Sequence, residues 1–268
     1  MRRLHFRLLA ISLSFACQVC FAQNLLDPVK PFEKGMNLLA GSPTTRSGSD
    51  AVMFFRRSAE LGYAPAETVL GYLYETGTFV AQDPGEALTW YKKAARQGDS
   101  LGQWLAGRIV YLGSASSRDL NEAVSLLQSP AEEGNPFAQY LLGKIKLERQ
   151  QYSQSADWLR KAAGQGLPQA QRQLAILLRN GQGVKEDKFE AYVWLVLSQQ
   201  AGFPGLDNDL QALETDLGGN EIERAKSKAN ELESSVTRSV SARGCTGWAG
   251  EFADVPSSPP PDLQKFCR

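Results

Sequence analysis

The sequence predicts an all-α protein: five copies of one helical hairpin, then C-terminal capping helices and a short irregular tail. Three observations carry that prediction. Several residue columns recur with one shared period, an acidic helix-start signature opens the second helix of three copies, and an apolar stripe of helical period follows it. Gly62, Gly98, Gly134, Gly166 and Gly202 are spaced 36, 36, 32 and 36 residues apart. Ala51, Ala87, Ala123, Ser155 and Ala191 keep those spacings, while Gly35, Gly71, Gly107, Gly143 and Ala175, and Gly41, Gly77, Gly113, Arg149 and Gly181, run 36, 36, 36 and 32 because they precede the deletion in the fourth unit. Columns that share both a period and one four-residue deletion mark a repeat array. Its units are residues 27–62, 63–98, 99–134, 135–166 and 167–202.

In chain order, Met1 to Ala22 reads as a secretory signal. Arg2, Arg3 and Arg7 form its basic start, Leu8 to Val19 its apolar stretch, and Cys20-Phe21-Ala22 a small-x-small end, with cleavage after Ala22. The apolar stretch falls short of the roughly 20 residues of a spanning helix, and no later segment is long enough, so no integral membrane segment is expected after cleavage. A lipoprotein site at Cys17 fits poorly because bulky Phe15 stands just before Ala16. The expected location is periplasmic or secreted.

Within each unit the second helix is the better signed. Asp83-Pro84-Gly85-Glu86, Asp119-Leu120-Asn121-Glu122 and Asp187-Lys188-Phe189-Glu190 each place an Asp three residues before a Glu, a capping pattern that satisfies the first N–H groups of a helix. Ala87, Trp90, Tyr91, Ala94 and Ala95 then give the apolar stripe, and Gly98 supplies the left-handed stop. The first helix carries pairs such as Leu70-Gly71 and Leu142-Gly143. A mid-helix glycine costs about 1 kcal/mol against alanine, so its recurrence at one register predicts a helix packed too closely for a side chain. Trp90, Trp158 and Trp194, at one register of the second helices, read as core.

After Gly202 the period lapses. Leu210, Leu213 and Leu217, then Ile222, Ala225, Ala229 and Leu232, predict capping helices over 203–240, broken at Gly218-Gly219. Residues 241–268, with Pro259-Pro260-Pro261, read as an irregular tail. Removal of the leader takes Cys17 and Cys20, leaving Cys245 and Cys267 as an even pair in an exported chain, expected to form a disulfide around a loop of about 22 residues. Such a loop is worth roughly 3 kcal/mol.

Ala64-x-Ala66-x-x-x-Leu70-Gly71-x-x-Tyr74-x-x-Gly77, followed by Asp83-x-x-x-Ala87-x-x-Trp90-Tyr91-x-x-Ala94-Ala95-x-x-Gly98, resembles the Sel-1-like repeat, a relative of the tetratricopeptide repeat. The fifth unit matches well too, through Gly181-x-Gly183-Val184-x-x-Asp187-x-x-x-Ala191-x-x-Trp194. The third and fourth units match in part and the first loosely. The fourth departs by losing four residues around Arg149 to Tyr152. The resemblance implies a right-handed α-solenoid that acts as an adaptor or scaffold, with the first helices lining its concave face. By register, the position after the helix glycine reads Met36, Tyr72, Arg108, Lys144 and Ile176, and the position three before it reads Phe32, Thr68, Trp104, Tyr140 and Arg172. Tyr72, Trp104, Arg108, Tyr140, Lys144 and Arg172 are therefore the candidate groove. Their aromatic faces and cations suit an acidic or extended peptide.

Composition excludes much else. Lys and Arg number 29 against 29 Asp and Glu. Removing Arg2, Arg3 and Arg7 leaves 26 against 29, without the basic excess that nucleic-acid binding needs. The one histidine, His5, lies in the leader, so the mature chain has no His base, no His-paired nucleophile and no His-ligated zinc. Some proteins with these repeats are assigned β-lactamase activity, but no Ser-x-x-Lys occurs here and no repeat contains a cysteine. Glu132 and Glu133 are adjacent on a helix and point apart. No catalytic residue, cofactor or metal is expected. The expected function is a periplasmic scaffold for a peptide or protein. The alternatives are a structural component of an envelope machine such as a flagellar motor, or a secreted host-binding factor.

Overall fold

A computed structural model describes residues 27–39, 44–115 and 117–248, with side chains as far as residue 234. The leader, Cys267 and so the expected bridge to Cys245 lie outside the described residues. Among them occur twelve helices and no strand: α1 (Val29–Leu39), α2 (Thr45–Glu60), α3 (Ala64–Thr76), α4 (Pro84–Arg96), α5 (Ser100–Leu112), α6 (Leu120–Glu132), α7 (Pro136–Glu148), α8 (Tyr152–Gly164), α9 (Pro168–Asn180), α10 (Lys188–Gln200), α11 (Asp207–Glu214) and α12 (Gly219–Trp248). Successive pairs from α1/α2 to α9/α10 are the five hairpins read from the period. The chain divides after Ala94 into two compact units. In the first, α1 packs on α2 and α2 on α3; in the second, α5 to α10 pack each on the next and α12 packs on α10. This consecutive packing is that of an α-solenoid.

The helix glycines do what their register predicts. A Cβ on Gly35 would lie 2.7 Å from the Phe55 ring, on Gly71 2.7 Å from Tyr91, on Gly107 2.7 Å from Leu127 Cγ, and on Gly143 2.8 Å from Leu159 Cγ. Phe55, Tyr91, Leu127, Leu159 and Leu195 form a column of their own in the same period. All five are buried, and in the first four hairpins the large side chain is seated on the helix glycine. The predicted Asp caps are in place. Asp83 accepts from the N–H groups of Gly85 and Glu86, Asp119 from Asn121 and Glu122, and Asp187 from Glu190.

The shortened fourth hairpin solves its turn differently. Elsewhere Gly77, Gly113 and Gly181 end the first helix with φ of 69°, 70° and 61°. Here Arg149 keeps a negative φ and Gln150 takes the left-handed conformation at φ 58°. Gln151, in the Asp column, makes no side-chain cap. Ser155, where the other hairpins have Ala, donates its hydroxyl to the Gly143 carbonyl at 2.8 Å.

An amide column also ties hairpin to hairpin. Gln139 Nε2 donates to the Ala131 carbonyl at 2.9 Å, and Gln171 Nε2 to Ala163 at 3.3 Å. Each bond runs from a first helix to the last turn of the preceding second helix.

At the C-terminus, α12 starts at Gly219, where the break was expected. Leu206, Leu210, Leu213, Ala225 and Ala229 join the core of the fourth and fifth hairpins. The exposed residues of α12 include Glu223, Lys226, Lys228 and Glu231, paired as Lys226–Glu223 and Lys228–Glu231 at 3.0 Å each, so the pair caps the last apolar surface with a polar one. The helix runs on to Trp248, past residue 240, where the irregular tail was expected to begin. No proline occurs between 219 and 255, and an isolated glycine such as Gly244 costs a helix only about 1 kcal/mol.

Candidate functional site

Five of the six candidate groove residues lie in the second unit, on the first helices of hairpins three, four and five. Helical spacing puts Trp104, Arg108 and Tyr111 on one stripe of α5, Tyr140, Lys144 and Glu148 on one stripe of α7, and Arg172, Ile176 and Arg179 on one stripe of α9. Tyr72 belongs to the first unit, where it is half-buried on α3.

Trp104 is not an open aromatic surface. It is 5% exposed, its ring lies 5.5 Å from that of Phe137, and it is a core residue at the foot of Arg108, whose Cζ is 5.8 Å from the indole. The register alone could not show this, because large side chains on a first helix serve both the core and the face. Its buried indole N–H has no hydrogen-bond acceptor among the described residues.

Lys144 lies between two tyrosines, with Nζ 5.7 Å from the ring centre of Tyr111 and 5.9 Å from that of Tyr140. Burial raises the Tyr140 phenol above its usual range, and the positive charge of Arg172 partly opposes the rise. Beside them, Tyr111 donates its hydroxyl to Glu148 at 2.7 Å, and Arg118 reaches both Glu148 oxygens at 2.8 and 2.7 Å and the Tyr111 carbonyl at 2.7 Å. The Arg118 guanidinium stands over the Tyr111 ring at 4.5 Å. Burial, and then the bond to Glu148, push the Tyr111 phenol up to about 12. For Glu148 burial works upward, but the bonds from Arg118 and Tyr111 and the charges of Arg118 and Lys144 hold the carboxyl below its usual range.

Arg172 is engaged within the chain. Its Nη2 and Nε lie 2.9 and 3.0 Å from Asp209 Oδ2 on α11, and Arg179 Nη1 is 3.8 Å from Oδ1 of the same carboxylate. The structure therefore brings together Trp104 with Arg108, Tyr140 with Lys144, and Arg172 with Tyr140 and Asp209. Sequence reading missed Tyr111, Arg118, Glu148 and Asp209. One signal was available: a sixth unit of the same period, starting at 203, carries the Arg172 column to 208, next to Asp209.

The tryptophans of the second helices are packing residues. Trp90 is buried, Trp158 is half-covered under Lys161 at 4.1 Å, and Trp194 donates to Glu190 at 3.1 Å. A cleft of about 620 Å³ lies among α10, α11 and α12, with Tyr192, Glu214, Lys226 and Asn230 in its wall. Among the described residues no cluster of three or more His, Cys, Asp or Glu could hold a metal ion, and no helix is long and apolar enough to cross a membrane.

Consecutively packed helical hairpins with a mixed cationic and aromatic first-helix face define a protein of the α-solenoid class. Residues 35–63, 64–99, 100–135, 136–167 and 168–198 each match the Sel1 repeat, and the chain belongs to the Sel1 repeat family. Proteins of this family are generally protein–protein interaction scaffolds and typically non-enzymatic. Among solved structures, the chain is similar to a protective antigen of uropathogenic Escherichia coli displaying an SLR fold, with 28% identity and a TM-score of 0.68 over 87% of this chain and 49% of the antigen. The chain thus spans about half the antigen's length. It is also similar in fold to a Sel1 repeat protein from Oxalobacter formigenes, with 22% identity and a TM-score of 0.63 over 77% of this chain and 88% of the other. No curated protein matches this chain.

Proposed function

We propose that the chain is an exported scaffold, periplasmic or secreted, that takes a peptide or protein partner on the first-helix face of its second unit. The observation that carries this reading is Lys144 set between the rings of Tyr111 and the half-buried Tyr140, one hairpin on from the half-buried Arg108 at the same register. Cations held over aromatic rings offer contact area and charge-assisted hydrogen bonds together, the composition of binding hot spots. Export is supported by the leader, and the Escherichia coli neighbour is a protective antigen. The scaffold acts by binding rather than turnover, since the sequence after the leader supplies no histidine and no Ser-x-x-Lys.

The test is affinity capture from periplasmic extract on the purified chain and on a variant carrying Arg108→Gln and Lys144→Gln. The expected result is a partner retained reproducibly by the parent and lost by the variant at unchanged circular dichroism. Equal retention by both would remove the face from the binding function.

A further inference from the structure

We propose that the cleft among α10, α11 and α12 is a second binding site, and that it takes a basic polypeptide segment with a Lys or Arg side chain between Asp207 and Glu214. The proposal does not rest on the first-helix face of the hairpins, whose residues lie on other helices.

The cleft joins two kinds of surface. Its deeper part is apolar, lined by Tyr192, Val196 and Leu210, each no more than 8% exposed. One side is a stripe of α11, where Asp207, Gln211 and Glu214 follow at i, i+4 and i+7. The other sides come from α10, through Gln199 and Gln200, and from α12, where Asn230 accepts from Gln200 at 2.8 Å. A volume of about 620 Å³ is within the range of ligand sites and holds a few residues of extended chain. This second helix can be reached because no repeat hairpin follows it: α11 has 8 residues where the first helix α9 has 13, and the groove over α10 stays open beyond it.

The negative charge of the cleft is not matched within the chain. Asp207 has no hydrogen-bond or ion-pair partner among the described residues. Glu214 accepts the Tyr192 hydroxyl on Oε1 at 2.7 Å, and Lys226, the one cation of the lining, is paired with Glu223 at 3.0 Å. Burial and the bond to Glu214 raise the Tyr192 phenol, and the charges of Glu214 and Glu223 raise it further. The same sign holds over the whole end of the array. Residues 203–234 carry three Lys and Arg against eight Asp and Glu, while the rest of the chain after the leader carries 23 against 21. Negative charge is thus gathered around this cleft rather than spread over the molecule.

These features select the occupant. A Lys or Arg side chain lays its aliphatic stem on the apolar base while its head meets the carboxylates of Asp207 and Glu214. A side-chain amide both donates and accepts, so Gln199 and Gln211 match the N–H and C=O groups of an extended backbone. The carboxylates then supply the preference for cations, and the amides the fit to a polypeptide.

The test is fluorescence anisotropy of the purified full chain with a labelled octapeptide of Lys, Leu and Gly, against the same peptide with acetyl-lysine for lysine. The parent is expected to bind the charged peptide alone, and Asp207→Asn with Glu214→Gln to weaken it about tenfold or more at unchanged circular dichroism. Glu231→Gln with Glu233→Gln removes the same charge from α12 outside the cleft and is expected to change affinity by less than about twofold. Gln211→Trp, which fills the cleft and keeps both carboxylates, is expected to weaken binding about fivefold or more. Equal losses from the two charge pairs mean a general attraction to an acidic surface and overturn the site. Equal binding of the acetylated peptide overturns its cationic chemistry. Full displacement of the peptide by an equal concentration of spermidine makes a small polycation the occupant and overturns the polypeptide reading. Binding that appears only after Lys265→Gln with Arg268→Gln assigns the cleft to the chain's own C-terminal residues and overturns the external partner, and no binding by either protein overturns the proposal as a whole.

Discussion

The third and fourth hairpins build the same two helices of thirteen residues and join them in opposite ways. In the third, Gly113 and Asp119 make the turn locally, one as the left-handed stop and the other as the cap of the next helix. In the fourth, deletion removes both devices, and the turn leans on its neighbours. Arg149 reaches Asn121 at 2.7 Å, Arg118 grips Glu148, and Ser155 bonds the Gly143 carbonyl. A hairpin can thus exchange local turn chemistry for tertiary bonds while a leucine still seats on its helix glycine.

The largest expected effect lies in what the two hairpins share. Gly107→Val and Gly143→Val each push a side chain into the facing leucine and should cost about 2–3 kcal/mol in urea unfolding, by overpacking. A cost well below 1 kcal/mol at either would mean that the glycine column is not a packing requirement. The turns come next, where the two should respond with opposite sign. Gly113→Ala places a Cβ at positive φ and should destabilise by about 1–2 kcal/mol, whereas Gln150→Gly relieves that strain and should stabilise by about 0.5–1 kcal/mol. Caps follow: Asp119→Ala should cost about 1 kcal/mol, and Gln151→Ala almost nothing, because Gln151 caps no N–H.

The smallest effect is acid sensitivity at Glu148. Its folded pKa lies below the ordinary 4.5, so the unfolded chain binds the proton more readily. The stabilisation is present above the unfolded value and is lost as pH falls through the folded one. It is modest because the carboxylate is about a third exposed. Glu148→Gln should flatten the fall in melting temperature between neutral and acid pH; an unchanged slope would show that the clip contributes nothing.

These contrasts also mark what could be read from the residues alone. The hairpins, their glycine seats and the Asp caps were legible because each is a local rule repeated at one period, and repetition separates signal from chance. Trp104 was misplaced on the open face because register fixes a helix stripe, while burial depends on how close the next helix comes. Asp209 was missed for a different reason: α11 takes the place of a sixth first helix without keeping the residues of the repeat, so only the period itself pointed to it. The grip of Arg118 on Glu148 joins a turn to the end of another hairpin, a pairing that no column predicts.

The central claim is that the first helices bind and the second helices pack. Amide hydrogen exchange, followed in the presence and absence of the captured partner, tests it most directly. Protection centred on α5 and α7 around Arg108 and Lys144 is the predicted result; protection centred instead on α6 and α8 would contradict it.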